Sequence, residues 1–276
     1  MHSKNVVITG AGSGIGRELA LQLAARGCRL ALADRDEQGL AETAIQARLA
    51  GAGSLLTQRL DVSDEAQVNA FAAQVQDGLG GVDVLINNAG ITRFGDFAST
   101  SPEAFRQVLD VNFWGVVYGS RAFLPALRAS RGSLVNLSSL FGLIGVAAQT
   151  HYCASKFAVR GFSEALRQEL KDDGVHVACV HPGGVRTRIA SNARFDQEVE
   201  DQAALVLKLE QNTLKLPPSE AARIILSGIE QRRERILVGR DAKAVDLLQR
   251  LLPTAHSGLV HRLLSKASGL RKKVTA

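Results

Sequence analysis

"NVVITGAGSGIG", residues 5–16, decides how the rest of the chain is read. Residues 5–9 form an apolar run that predicts a buried strand, and 15–26 continue with helical periodicity. Between them the glycines are spaced Gly10-x3-Gly14-x-Gly16. This is not the G-x-G-x-x-G fingerprint, whose last glycine would fall on Ile15 or Leu19. A glycine loop between strand and helix lets backbone N–H groups approach a pyrophosphate, and the helix N-terminus adds partial positive charge. A structural turn is the alternative, and the position between strand and helix favours the phosphate reading.

Outward from this unit, strand-like runs recur at 29–34, 55–61, 83–88, 132–138 and 175–182, with a short one at 235–238. Helical patterns cover 37–50, 64–78, 102–129, 152–172 and 218–231. The alternation predicts βαβ units, an α/β fold and a parallel sheet with right-handed crossovers. Ligands bind such sheets beyond the carboxyl ends of the strands. Residues 1–240 read as one domain with an insertion at about 188–216, polar first and amphipathic after. Residues 241–276 read as a basic extension of two amphipathic helices broken at Pro253. Its apolar positions include Leu247-Leu248, Leu251-Leu252, Leu259-Val260 and Leu263-Leu264. It either packs on the body or lies on a membrane surface.

The net charge of +6 belongs to the end of the chain. Residues 1–230 hold 22 basic against 24 acidic side chains, and 231–276 hold 11 against 3. A body of net −2 argues against nucleic-acid binding. Cys28, Cys153 and Cys179 show no zinc-type spacing, so no metal is expected and the thiols read as reduced. The start runs directly into a strand, which leaves no room for a signal peptide. No run reaches the roughly 18 to 20 apolar residues of a membrane span. A cytoplasmic protein is expected, with peripheral membrane attachment through the tail as the alternative.

Asp34 ends the second strand 18 residues after Gly16. A carboxylate there accepts hydrogen bonds from ribose hydroxyls and repels a 2′-phosphate. Arg35 would attract that phosphate, and a helix cap is the plainer role for Asp34. The balance favours NAD, with NADP as the alternative.

"HYCASK", 151–156, sets Tyr152 four residues before Lys156, which puts both on one helix face. A free phenol titrates near ~10, and proton exchange near neutrality needs a drop of about 3 units, roughly 4 kcal/mol. An ammonium about 4 Å away, at an effective dielectric near 20, supplies about that much. Tyr152 is therefore expected to act as general base or acid.

"TGAGSGIG", "DV" at 61–62, "NNAG" at 87–90, Asn112, Ser139, "YCASK" and "HPGGVRT" at 181–187 occur in that order. Over about residues 4–240 the chain thereby resembles the short-chain dehydrogenases/reductases. The resemblance implies a doubly wound, Rossmann-type, seven-stranded parallel sheet with helices on both faces. It implies an NAD(P)-dependent oxidoreductase interconverting a secondary alcohol and a ketone. Tyr152 would be the acid/base, and Lys156 would lower its pKa and bind the nicotinamide ribose. Ser139 would stabilise the alkoxide in preference to Ser138, and Asn112 would hold a water beside the lysine.

By the same resemblance Gly10, Ser13, Gly14, Ile15 and Gly16 would form the pyrophosphate loop. Asp34 and Arg35 would meet the ribose, and Asp61 and Val62 the adenine. Asn88, Ala89 and Gly90 would line the cleft, though this motif also has a structural task in the family. Pro182 and Gly183 would turn over the nicotinamide, with Val185 and Thr187 at its carboxamide. The family forms homodimers or homotetramers through the helices near 102–129 and 152–172. His151 reads as pocket lining rather than a second acid/base, and Cys153 as a packed residue rather than a redox switch.

Phe94, Phe97, Leu140, Phe141, Leu143 and Ile144 are expected to face the substrate, which favours an apolar molecule. Arg93, Arg186 and Arg188 are the side chains that would clamp an acidic one. A lyase or isomerase on the same fold is one alternative, and a cofactor sensor without turnover another. The combined Asn112, Ser139, Tyr152 and Lys156 set weighs against the sensor, because sensing needs no proton relay.

Overall fold

The computed structural model describes residues 1–196 and 202–258. Its first half runs β1 (Asn5–Thr9), α1 (Gly14–Ala24), β2 (Arg29–Asp34), α2 (Glu37–Leu49), β3 (Ser54–Arg59), α3 (Glu65–Leu79) and β4 (Val84–Asn87). After β5 (Arg93–Phe94) come α4 (Pro102–Leu109), α5 (Gly115–Ser130), β6 (Ser133–Leu137) and α6 (Thr150–Glu169). β7 (His176–Pro182), β8 (Arg194–Phe195), α7 (Gln202–Asn212), α8 (Pro218–Glu230), β9 (Arg235–Val238) and α9 (Arg240–Leu251) complete it.

Seven strands form one parallel sheet in the order β3-β2-β1-β4-β6-β7-β9. The order reverses between β1 and β4, the crevice where doubly wound sheets bind ligands. Side-chain alternation explains the two cores. Val6 and Ile8 point to one face with Leu19 and Leu23 of α1 and Ile225 of α8. Val7 points to the other with Phe71 of α3 and Phe123 and Leu127 of α5.

The helix predicted over 102–129 is interrupted. Between α4 and α5, Asp110–Trp114 form a π-helical turn, a local widening that often marks a functional site. The reason lies in Asn112, which is fully buried. Its Oδ1 accepts from the Ile91 amide at 2.8 Å. Its Nδ2 donates to the Ile91 carbonyl and to Ser155 Oγ, both at 3.0 Å. A regular helix offers no such register, so these tertiary bonds override local propensity.

Further differences are local. The two-residue strands β5 and β8 pair in parallel as a separate ribbon, too short for any alternation to betray them. α6 starts at Thr150, so Tyr152 lies in its first turn rather than at its first position. The insertion at 188–216 carries β8 and α7.

α9 lies against the body. Its Val245 and Leu248 pack on Leu143 and Ile144. Buried Asp246 pairs with Arg235 of β9 and, at 3.2 Å, with Arg250. Asp241 accepts from the Gly184 amide at 2.6 Å. The helix ends two residues before Pro253, and Leu247, Leu251 and Leu252 of this segment stay exposed. Leu259-Val260 and Leu263-Leu264 lie outside the described residues. Among the described residues no helix is long and apolar enough to cross a membrane, and no group of His, Cys, Asp and Glu could hold a metal.

Candidate active site

The glycine loop leaves β1 with Gly10 at φ +66° and Gly14 at φ +55°, both left-handed. A Cβ on Gly16 would lie 2.0 Å from the Gly10 carbonyl oxygen. That contact fixes how closely α1 approaches the strand. Asn88 Nδ2 donates to the Thr9 and Gly10 carbonyls, both at 2.9 Å. Asn88 and Ala89 amides donate to Thr9 Oγ1 at 3.1 and 3.2 Å. The Asn88 side chain thus braces the loop from β4, and its amide is committed there rather than turned to a ligand. Ser13 precedes α1 without capping it, and Ile15 packs against the core.

Asp34, at the end of β2, accepts from the Gly12 amide at 2.7 Å and the Asp36 amide at 2.9 Å. It holds the loop as well as standing at the sheet's carboxyl edge. Exposed Arg35 lines an open depression with Asp61, Ser63, Arg106 and Asp110. Asp61 Oδ1 accepts from Ser63 Oγ at 2.6 Å, and Val62 is buried against Gly115. Arg17 was missed by motif reading. Its guanidinium donates to the Gly12 carbonyl at 2.6 Å, the Gly39 carbonyl at 3.1 Å and Glu42 at 2.9 Å. Its position one residue after the last glycine, on the turn facing the loop, was the available signal.

The chain after β7 folds back over this loop. A Cβ on Gly14 would lie 3.0 Å from Thr187 Cγ2, and Val185 is buried. Pro182 closes β7, and the Gly183 amide donates to Val238 at 2.9 Å.

Beyond β6, the Ser139 hydroxyl comes close enough to the Tyr152 phenol to favour its ionised form, and it accepts from the Phe141 amide at 3.1 Å. Ser138 does something else: buried, it donates to the Lys156 carbonyl at 2.8 Å. Lys156 is buried, donates from Nζ to the Leu137 carbonyl at 2.9 Å, and lies 5.8 Å from the Tyr152 ring centre. A Cβ on Gly90 would lie 3.2 Å from Asn112 Oδ1 and 3.4 Å from Lys156 Nζ, so both face the same point.

The expected acidification of Tyr152 is not what the polypeptide alone produces. Burial pushes the phenol up to about 12, with the Ser139 hydroxyl pulling it down and the Cys153 thiol adding to the rise. Burial brings Lys156 down to about 8. Loss of water disfavours both charged forms, and the ammonium bonds a backbone carbonyl and sits over the ring instead of at the phenol oxygen.

On the substrate side, Phe94 stacks on Phe195 with ring centres 5.5 Å apart, and Phe141 meets Tyr152 edge-on at 6.1 Å. Leu143 and Ile144 do not line this space. They are core residues covered by α9, while Phe97 is exposed. Arg93 is held by Asp196 and, at 3.2 Å, by Gln107 Oε1, which removes it as a clamp. Arg188 lies 4.0 Å from Asp36, and Arg186 is exposed. Cys153 is buried, and burial raises its thiol pKa.

A doubly wound parallel sheet, a glycine loop at its switch point and a Ser-Tyr-Lys cluster beyond the neighbouring strands define a Rossmann-type α/β protein. The sequence model described as short chain dehydrogenase matches residues 4–198. An oxidoreductase of Mycobacterium tuberculosis named SadH is 45% identical over 260 residues, covering 93% of this chain and 94% of its own. A short-chain dehydrogenase/reductase from Burkholderia phymatum, solved in complex with NAD, is 33% identical with a TM-score of 0.82. That match covers 91% of this chain and 94% of the solved one. An alcohol dehydrogenase from Thermococcus sibiricus, complexed with 5-hydroxy-NADP, is 26% identical with a TM-score of 0.73, over 85% and 95% of the two chains. The chain belongs to the short-chain dehydrogenase/reductase family of oxidoreductases.

Proposed function

We propose that the protein interconverts a secondary alcohol and a ketone on an apolar, uncharged molecule, with NAD preferred to NADP. The observation that carries this reading is the convergence of Ser139 and Lys156 on Tyr152 beside a glycine loop whose Gly10 and Gly16 leave no room for a Cβ.

The loop of Gly10, Ser13, Gly14, Ile15 and Gly16 fits a dinucleotide, because Gly10 and Gly16 draw it tightly between β1 and the start of α1, where a helix N-terminus receives a pyrophosphate. Asp34 and Arg35 would meet its ribose, and Asp61 and Val62 its adenine. Asn88, Ala89, Gly90, Pro182, Gly183, Val185 and Thr187 would border its nicotinamide end. When bound, the nicotinamide supplies hydride transfer and, when oxidised, a positive charge. Tyr152 exchanges the proton of the reacting oxygen at its phenol, Ser139 donates to that oxygen, and Lys156 bonds the ribose. Asn112 holds the Ile91 segment and Ser155 in register beside Lys156.

Three features support the preferences. Asp34 would repel a 2′-phosphate, and the Arg17 guanidinium, which bonds the Gly12 carbonyl, is paired with Glu42. The Phe94, Phe195 and Phe141 rings favour an apolar substrate. Arg93 is already neutralised by Asp196.

We read residues 1–240 as one catalytic domain and 241–276 as an extension that docks through α9. Exposed Trp114, which immediately precedes α5, and Phe157 of α6 support a homodimer or homotetramer built on the helices near 102–129 and 152–172. The reading includes a cytoplasmic location, with the exposed Leu247 and Leu251 ridge of α9 as the point of any membrane-surface contact.

The test is a screen of steroids, retinoids, diols and acyl ketones with both cofactors, read by nicotinamide absorbance. On any hit, Tyr152→Phe is expected to lose at least about 100-fold in kcat. Full turnover by that variant overturns the proposal.

A further inference from the structure

α6 carries Tyr152 in its first turn, and that turn is capped in an unusual way. The first N–H groups of a helix have no partner within the helix and need an outside acceptor. Ser, Thr, Asp or Asn ordinarily supplies it. Here the N-cap residue is Gln149, whose side chain makes no cap bond. Its amide group instead bonds Thr92 Oγ1 at 2.9 Å and the Arg93 carbonyl. The Tyr152 amide donates to His151 Nδ1 at 2.8 Å. A ring nitrogen that accepts carries no proton, so in neutral His151 the proton sits on Nε2.

His151 is fully buried. Its buried Nε2 has no hydrogen-bond partner and lies 3.5 Å from Asp196 Oδ2, so the carboxylate acts on the Nε2–H through charge at that distance. Asp196 follows β8 and is itself buried, with its side chain 3% exposed. Its other oxygen accepts from Arg93 Nε at 2.7 Å, and Oδ2 also accepts from Thr100 Oγ1 at 3.1 Å. The Asp196 amide donates to the Phe94 carbonyl at 2.8 Å. A Cβ on Gly95 would lie 2.7 Å from Asp196 Cβ, so the β5–β8 ribbon closes tightly on this carboxylate.

We propose that Asp196 is a positioning residue: its carboxylate holds the Nε2–H tautomer of His151, and the ring's free Nδ1 caps and seats the backbone of Tyr152. The chain of contacts runs from the substrate-side ribbon to the proton-exchanging residue without touching substrate. Among the described residues the charged groups acting on the ring are Asp196 and Arg93, and from α4 the Phe105 ring lies 6.0 Å away. Burial holds the imidazole below its ordinary pKa, with Asp196 opposing that shift, which keeps Nδ1 an acceptor at neutral pH.

The inference rests on the role proposed for Tyr152, but its test does not need turnover. The chain has two tyrosines, Tyr118 and Tyr152. In a Tyr118→Phe background, 15N-tyrosine labelling leaves one tyrosine amide signal, that of Tyr152. Asp196→Asn keeps an oxygen for Arg93 but turns an NH2 toward Nε2–H, which forces the other tautomer and removes the cap. The expected result is a displaced Tyr152 amide signal and solvent exchange faster by about tenfold. His151→Ala should do the same. His151→Asn, whose side-chain oxygen takes the place of Nδ1, should restore the signal. An unmoved Tyr152 amide in Asp196→Asn overturns the proposal, as does failure of His151→Asn to rescue. If His151→Ala does not fold, Asp196→Asn decides alone. Turnover by Tyr152→Phe would count against the role of Tyr152 and leave this contact chain standing.

Discussion

The Ser138 hydroxyl donates to the Lys156 backbone carbonyl at 2.8 Å, while its neighbour Ser139 turns to the Tyr152 phenol. Adjacent serines leave the end of β6 on opposite sides, one into the fold and one into the site. Ser138→Ala should therefore lower stability by about 1 to 2 kcal/mol in urea melts, since the buried carbonyl loses its donor. Ser139→Ala should keep stability within about 0.5 kcal/mol and lose roughly 100-fold in kcat. The reverse pattern would exchange the two assignments.

Lys156 carries a pH signature. Its ammonium is disfavoured by burial, so its pKa in the fold, about 8, lies below the ordinary 10.5. Between these values the unfolded chain binds more protons, and stability rises with pH. The penalty is full below about pH 8 and gone above about 10.5. Tyr152 opposes this from pH 10 upward, because its raised pKa of about 12 makes the folded protein the better proton binder there. Denaturant melts of the wild type minus Lys156→Met should show a rise between pH 8 and 10, on the order of a few kcal/mol at most. A flat difference would mean the ammonium is solvated.

Asp34 tests cofactor choice. Its carboxylate holds the Gly12 amide at 2.7 Å and stands where a ribose hydroxyl would be met. Asp34→Asn should raise KM for NAD by about tenfold, the effect of losing charge on two such acceptor bonds, and narrow the NAD to NADP ratio of kcat/KM. An unchanged ratio would transfer the discrimination to Arg35.

The α9 contact should matter for stability. Asp246→Ala removes the nearer carboxylate of Arg235, which is partly buried beneath the helix and keeps only Glu164 at 3.9 Å. Removing one partner of a fully buried pair costs about 3 kcal/mol, and the partial exposure of Arg235 and its contact with Glu164 reduce this to about 1 to 2 kcal/mol. Equilibrium unfolding should show a loss of that order, and a loss under about 0.5 kcal/mol would make the helix a loosely held appendage.

Gly16→Ala should abolish dinucleotide binding in fluorescence titration and lower the melting temperature, because the new methyl would sit 2.0 Å from the Gly10 oxygen. Binding within about twofold of wild type would mean that the loop has slack elsewhere.

The main strands and most helices were legible because each buries a face, and burial imposes period two or 3.6 on the residues. The glycine loop, Asp34, Tyr152 and Lys156 were legible because their spacing is local, a turn or a helix face. The π-helical turn at Asn112 was not, since its cause is a set of bonds to Ile91 and Ser155 that the local pattern does not contain. The two-residue ribbon β5–β8 was too short to carry a pattern. Leu143 and Ile144 were placed in the substrate wall because their apolarity does not distinguish a pocket from a core.

By itself, the order of residues determined a parallel α/β fold and, with it, the sheet edge where such folds bind ligands, because both follow from near-neighbour spacing and alternation. Tertiary packing alone decided the protonation balance. Lys156 is shut off from water by side chains far apart in sequence, half-buried Tyr152 is partly so, and desolvation depends on three-dimensional surroundings. It decided equally that Arg93 faces Asp196, 103 positions away, and not a ligand.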